Sequence, residues 1–402
     1  MCLALAAAPL LAGTAQAGAI QAGPAGSRAT HPAKPATGSH SAPTAKPPAG
    51  SVGMSQTPTA GGPQLAGRGV IVNYPAHGAR RLPRVAASAY LIADAGTGQV
   101  LAAKDPHGWF RPASTLKVLT AITLMPDLDP TATVVASHRA AAAVPSKVGL
   151  IQGDSYHISD LFKALLMISA NDAAVALVQA TGSYAHGIAM MNAEARHLQA
   201  DDTVAVTPNG LDAVGQHSSA YDEALFARQA LAIPEFMQDE LLRTVRFPVK
   251  PHHKPVTLYT QNAMLYTYPG DLGGKIGWTT KAGTTFIGWA RRGHTTLVVT
   301  ILHCTPLAEL TYAARLLNWG FAMDGKITPV GGLVAPLPVA APPPQQPPAV
   351  ILRHLLARPA ASGLAAVPLA AGLAVLLLAV LGTVVAVLVS RRARRAGNPA
   401  AR

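Results

Sequence analysis

Cysteine is nearly absent: the 402 residues include two. Cys2 lies in an apolar leader, so Cys304 is the one thiol left in the mature chain, which excludes an internal disulfide. Acidic residues are missing from both ends, and all 19 lie between Asp94 and Asp324. From Val85 to Val330, 18 Lys and Arg face those 19 acids, while seven further cations sit on either side. The formal charge of +13 therefore describes basic tails around a neutral domain and is no argument for a nucleic-acid surface. No His-Glu-x-x-His occurs, and "PHHKP" (Pro251–Pro255) reads as a polar loop, so nothing calls for a metal or another cofactor.

Composition divides the chain. Residues 1–17, "MCLALAAAPLLAGTAQA", read as a signal peptide cut after Ala17, although the first cation is Arg28. Residues 18–84 are rich in Ala, Pro, Gly, Ser and Thr and read as a spacer unable to bury enough apolar surface to fold. Residues 85–330 carry the pattern of a globular domain, and 331–363 form a proline-rich linker. Leu364 to Val389 is an uncharged run of 26 residues. As a helix it would be ~39 Å long, enough to cross ~30 Å of hydrocarbon. "RRARR" follows within the basic tail 390–402, so the expectation is a single-pass membrane protein with its domain outside the cytoplasm.

Within the domain, "AYLIAD" and "QVLAAK" flank "AGTG" as a β-hairpin, and "TTFIGWAR" and "TTLVVTILH" form a second. "SDLFKALLMI" reads as a helix with Ser159 as N-cap. "DAAVALVQA", "SYAHGIAMMNAEARHLQ", "SAYDEALFARQAL" and "LAELTYAARLLNWGFAM" also read as helices. Strands at both ends with helices between predict an α+β fold with an antiparallel sheet.

Three short patterns carry chemistry. In "RPASTLKVLT", Ser114 and Lys117 stand at i and i+3 on one helix face, so the amine can reach the hydroxyl. Apolar surroundings lower a lysine pKa, which makes Lys117 a base for a serine nucleophile. Alone, it would equally be a snorkelling surface lysine. "LLMISANDAAVAL" places Ser169 and Asn171 at the break between two helices, where capping is the plain alternative. "GGKIGWTT" offers Lys275 and Gly277 behind two glycines that allow a ligand close to the backbone; an edge-strand lysine is the plain alternative there.

Together and in this order, the three patterns resemble the Ser-x-x-Lys, Ser-x-Asn and Lys-Thr-Gly motifs of the penicillin-recognising serine enzymes. The text around them, such as "ADAGTGQVLAAKDPHGWFRPAST" and "YTQNAMLYTYPGDLGGKIGWT", is similar to the D-alanyl-D-alanine carboxypeptidases, the low-molecular-mass penicillin-binding proteins, from about Ala89 to Met323. The resemblance implies a five-stranded antiparallel sheet packed by helices, with an all-helical subdomain and the active site between them. It implies that Ser114 attacks the peptide between two terminal D-alanines of a peptidoglycan stem peptide and that Lys117 takes its proton. It implies Ser169 as a proton relay, Asn171 and Lys275 as substrate holders, and an oxyanion hole from the backbone N–H groups of Ser114 and Trp278. β-Lactams would acylate the same serine, and Asn209, Gly210 and Asn262 match further signature positions. The departure is Ile276, where the family has threonine. It leaves open a weakly active or non-catalytic penicillin- or muropeptide-binding protein. A β-lactamase shares the motifs, but no Glu-x-x-x-Asn lies between Asn171 and Lys275.

Overall fold

A strand that is apolar at nearly every position must be covered on both faces. "ASAYLIAD" and "LVVTIL" are such runs, and the computed structural model, which describes residues 59–248 and 255–338, covers both. The main sheet contains β1 (Val70–Ile71), β2 (Ala87–Asp94), β3 (Gln99–Lys104), β8 (Asp271–Thr279), β9 (Gly283–Arg292), β10 (Thr295–Cys304) and β11 (Gly331–Gly332). Its order is β1-β3-β2-β10-β9-β8, with β11 also on β3, and every pairing is antiparallel. Two ribbons stand apart: β4 (Thr133–Val135) with β5 (Ser155–His157), and β6 (Thr244–Phe247) with β7 (Val256–Tyr259).

The helices are α1 (Leu116–Leu124), α2 (His138–Ala141), α3 (Ile158–Met167), α4 (Asn171–Ala180), α5 (Tyr184–His197), α6 (Ala220–Ala230), α7 (Pro234–Glu240), α8 (Met264–Thr267) and α9 (Glu309–Met323). Leu91, Ala93, Val298 and Leu302 join a core shared with α1, α3, α4 and α6. Ile92, Leu297, Val299 and Ile301 face the other way, into a core with Leu316, Leu317 and Trp319 of α9. The period of two along each strand thus feeds two cores.

The structure corrects four expectations. The sheet has seven strands rather than five, because two-residue strands from the supposed spacer and linker pair with the free edge of β3. Residues 59–84 are folded: Leu65 is fully buried in a 3-10 turn (Pro63–Ala66), and Trp319 Nε1 donates to Arg80 O at 2.8 Å. Averaging composition over the whole spacer hid these short apolar pieces. Ser159 lies inside α3, not at its cap. The first N–H groups of that helix donate instead to Ala132 O and Pro130 O, so no side-chain cap is needed. The helical part is not purely helical, since it carries the two ribbons. The leader, the run 364–389 and the basic tail lie outside the described residues; among the described residues, no helix is long and apolar enough to cross a membrane.

Candidate active site

Ser114 stands in a 3-10 turn (Ala113–Thr115) that leads directly into α1. The turn is held from behind. Thr115 Oγ1 donates to Pro112 O at 2.6 Å, and Thr285 Oγ1 of β9 donates to the same carbonyl at 2.7 Å. Thr115 Oγ1 also makes a short contact with Glu223 Oε1 of α6. The Thr115 hydroxyl has one proton to share between these two acceptors, Pro112 O and Glu223 Oε1. Burial pushes the Glu223 carboxyl well above the usual range, and the Thr115 hydrogen bond offsets part of that shift.

One turn along α1, Lys117 is fully buried. Its Nζ lies 2.8 Å from Ser114 Oγ, 2.7 Å from Asn171 Oδ1 and 2.9 Å from Asn209 O. The last two partners can only accept. In its neutral form the amine would give them its two N–H bonds and turn its lone pair to the serine hydroxyl. Burial pushes Lys117 well below the ordinary lysine value, the charge of Lys275 adds to the push, and Asp172 offsets part of it.

Asn171 opens α4, and its orientation is fixed by its own bonds. Nδ2 donates to Val144 O at 2.9 Å and the backbone N–H to Ser146 O at 2.7 Å. Buried Asp172 secures the same loop by accepting from the backbone N–H groups of Val148, Gly149 and Leu150. Ser169 sits between α3 and α4 with φ 61°, a left-handed conformation costly for serine. Its hydroxyl makes no hydrogen bond among the described residues and borders the cleft.

The opposite wall is β8, an edge strand. Lys275 is buried, and its Nζ donates to Ile276 O at 2.7 Å rather than to Ser169. Burial pushes its pKa down, and the carboxylate of Glu240 opposes that shift. Glu240 in turn accepts from Gly274 N–H at 2.8 Å. Gly277 has no room for a side chain: a Cβ there would stand 2.3 Å from Thr285 Oγ1 and 2.7 Å from Ser114 N. Gly210, at φ +80°, crosses the Ala113–Ser114 peptide so closely that a Cβ would meet Ala113 O at 1.6 Å. Trp278 stands exposed at the rim.

Ser114, Ser169, Asn171, Ile276, Gly277 and Trp278 therefore line one cleft of about 1040 Å³, with Lys117 and Lys275 buried beside it. A model of the D-alanyl-D-alanine carboxypeptidase family matches residues 76–305. The chain belongs to that family. The D-alanyl-D-alanine carboxypeptidase DacB2 of Mycobacterium tuberculosis is 38% identical over 258 residues, covering 63% of this chain and 88% of that relative. A solved D-alanyl-D-alanine carboxypeptidase from the same species is 37% identical with TM-score 0.61, over 65% of this chain and 99% of that one. Penicillin binding protein 6B of Escherichia coli is 29% identical with TM-score 0.56, over 62% and 81%. This carboxypeptidase is accordingly a serine-type enzyme of the penicillin-binding class.

Three further residues bear on the site. Asn262 lies in a loop, where its Nδ2 donates to Asp271 Oδ2 at 2.9 Å. The Thr279 hydroxyl is occupied, donating to Asp212 Oδ1 at 3.1 Å and accepting from Ala282 N–H at 2.9 Å, so it is not free to stand in for a missing threonine at 276. Ile276 is half-buried, and besides bordering the cleft it packs against the α9-side core. Sequence reasoning missed Thr115, Glu223 and Asp172. The acids opening α4 and α6 look like ordinary helix-dipole partners, which conceals their inward direction.

Proposed function

We propose that Ser114 is the nucleophile of a D-Ala-D-Ala carboxypeptidase cycle and Lys117 the base that activates it. The single observation behind this is the buried Lys117 Nζ held within hydrogen-bond distance of Ser114 Oγ, Asn171 Oδ1 and Asn209 O, an arrangement in which a neutral amine would aim its lone pair at Ser114. Oγ attacks the carbonyl of the penultimate D-alanine as its proton passes to Nζ. The oxyanion forms in the narrow gap between β8 and the Ser114 peptide, where the N–H groups of Ser114 and Trp278 serve as donors. Ser169, whose hydroxyl is otherwise unpartnered, passes a proton to the departing D-alanine amine and is replenished by the proton that Lys117 took from Ser114. Asn171 holds the acyl amide as well as Lys117, and Lys275 attracts the terminal carboxylate. Water then cleaves the ester at Ser114.

The same reading extends to the ends of the chain. Residues 1–17 would direct export, 364–389 would span the membrane, and the catalytic domain would face peptidoglycan on the outer side. The charge-free run followed by "RRARR" supports that orientation.

Intact-mass spectrometry after penicillin treatment tests the site, together with D-alanine release from a diacetyl-Lys-D-Ala-D-Ala peptide. The wild type should gain one adduct and release D-alanine, and Ser114→Ala should do neither. An adduct on Ser114→Ala would refute the assignment.

A further inference from the structure

On the α9 side of the sheet, away from the catalytic cleft, Arg80, Arg81, Arg292 and Arg315 line one groove of about 620 Å³. None of its lining residues borders the cleft that holds Ser114. We infer that this groove binds a phosphate-ester anion, such as the repeating phosphodiester of an acidic polymer.

Cations and acids nearly balance from Val85 to Val330, which holds Arg292 and Arg315; Arg80 and Arg81 come from the acid-free segment before it and add to them, which makes the four guanidinium groups a local excess. Among the described residues, none of the four lies within ion-pair distance of an acid. The one carboxylate in the lining, Asp324, is engaged by the Thr295 hydroxyl at 2.7 Å. Arginine cannot relieve mutual repulsion by losing a proton, and the single charge of Asp324 leaves three of the four positive charges for a bound anion to compensate.

Part of the groove is organised in advance. Arg292 Nη2 donates to Asn318 Oδ1 at 2.6 Å and to Tyr268 Oη at 2.9 Å. Its guanidinium lies 4.7 Å from the ring centre of Phe321 and 5.1 Å from that of Tyr268. The backbone of Arg80 is fixed by Trp319 Nε1 at its carbonyl and by Met323 Sδ, which accepts from its N–H at 3.3 Å. Such ordering lowers the entropy cost of closing on a ligand. A guanidinium fork matches two oxygens of one phosphate; the forks of Arg80, Arg81 and Arg315, with the anchored charge of Arg292 beside them, suit an anion rich in oxygens better than a single carboxylate. The shape favours a polymer unit over a bilayer surface, because Trp319 is buried behind the arginines and does not project past them.

The test uses the full chain in detergent, so that the basic tails are the same in every variant. Calorimetric titration with poly(glycerol phosphate) should show binding that weakens at least tenfold in Arg80→Ser/Arg81→Ser/Arg315→Ser. Penicillin acylation should be unchanged in that variant. Should it fail to label with penicillin, the triple Arg→Lys variant decides, with at least threefold weaker binding expected. Equal affinity of wild type and variant would place binding on the tails and overturn the inference. Equal binding of poly-glutamate would overturn the phosphate preference, and stronger capture by phosphatidylglycerol vesicles than by the polymer would overturn the choice of ligand.

Discussion

Gly277 and Ser114 face each other across the cleft so closely that one methyl group at residue 277 would stand 2.7 Å from the Ser114 nitrogen. That nitrogen is the proposed oxyanion donor. Gly277→Ala should push β8 off the nucleophile turn and lower the acylation rate constant for penicillin by ~10² or more, the scale of one lost oxyanion donor. Stopped-flow labelling checks this, and a variant within threefold of wild type would place the oxyanion site elsewhere.

Lys117→Arg keeps a charge but cannot serve as base at any accessible pH. Acylation should fall by ~10² or more, as for other lost general bases. The wild-type enzyme also carries a pH signature. The folded-state pKa of Lys117 lies well below the ordinary 10.5, so between the two values the unfolded chain binds one more proton than the folded one. Stability must therefore rise with pH across that window, by about 1.4 kcal/mol per unit for this group. Denaturant titrations at several alkaline pH values should show the rise in wild type and a shallower one in Lys117→Met, where Lys275, pushed down to about 8, still contributes.

Ser169→Gly separates strain from chemistry. Glycine accepts φ 61° without the penalty that serine carries, so the fold should be unchanged or stabilised by up to ~1 kcal/mol. Turnover of D-Ala-D-Ala peptide should nevertheless fall by ~10². Unimpaired turnover would remove Ser169 from the proton path.

Ile276→Thr should supply the hydroxyl that Thr279 is not free to offer. One hydrogen bond to a carboxylate is worth ~1.5–3 kcal/mol, or roughly 10- to 150-fold in kcat/KM. Lost packing against the α9-side core should cost about 1–2 kcal/mol of stability. A fall in kcat/KM with the fold intact would show that the isoleucine makes a favourable substrate contact of its own.

His107 ties the N-terminal segment down. Its Nδ1 lies 2.6 Å from Asp202 Oδ2 and its Nε2 3.1 Å from Ala60 O. Both partners only accept, so the bridge needs the imidazolium. Burial opposes that charge, but the hydrogen bond and charge of Asp202, the Ala60 carbonyl and the nearby Asp222 together raise the pKa above the usual 6.5. The bridge is complete below 6.5 and is lost as pH rises through the raised value. Hydrogen exchange at Leu65 should accelerate over that range, by about tenfold per unit of raised pKa, and His107→Gln should abolish the pH dependence.

Local patterns made much of this legible. The two long hairpins follow from runs of strand formers broken by glycine, and the Ser114–Lys117 pair follows from helical spacing. That the stretches around Ser114, Ser169 and Lys275 meet came from their resemblance to a family, since no local pattern brings distant segments together. The support behind the nucleophile stayed hidden because Glu223 is acidic, sits on the helix α6 and turns inward toward Thr115. The folded part of the supposed spacer stayed hidden because a two-residue strand has no period to read.

Gly332 N–H donates to Gly61 O at 2.9 Å, and β1 and β11 lie end to end along β3. These two short strands therefore close one edge of the sheet, and Lys275 lies in β8 at the other. Closed in this way, β3 presents no long run of free backbone groups to a second chain, so the side of the sheet remote from the catalytic cleft is protected against strand addition.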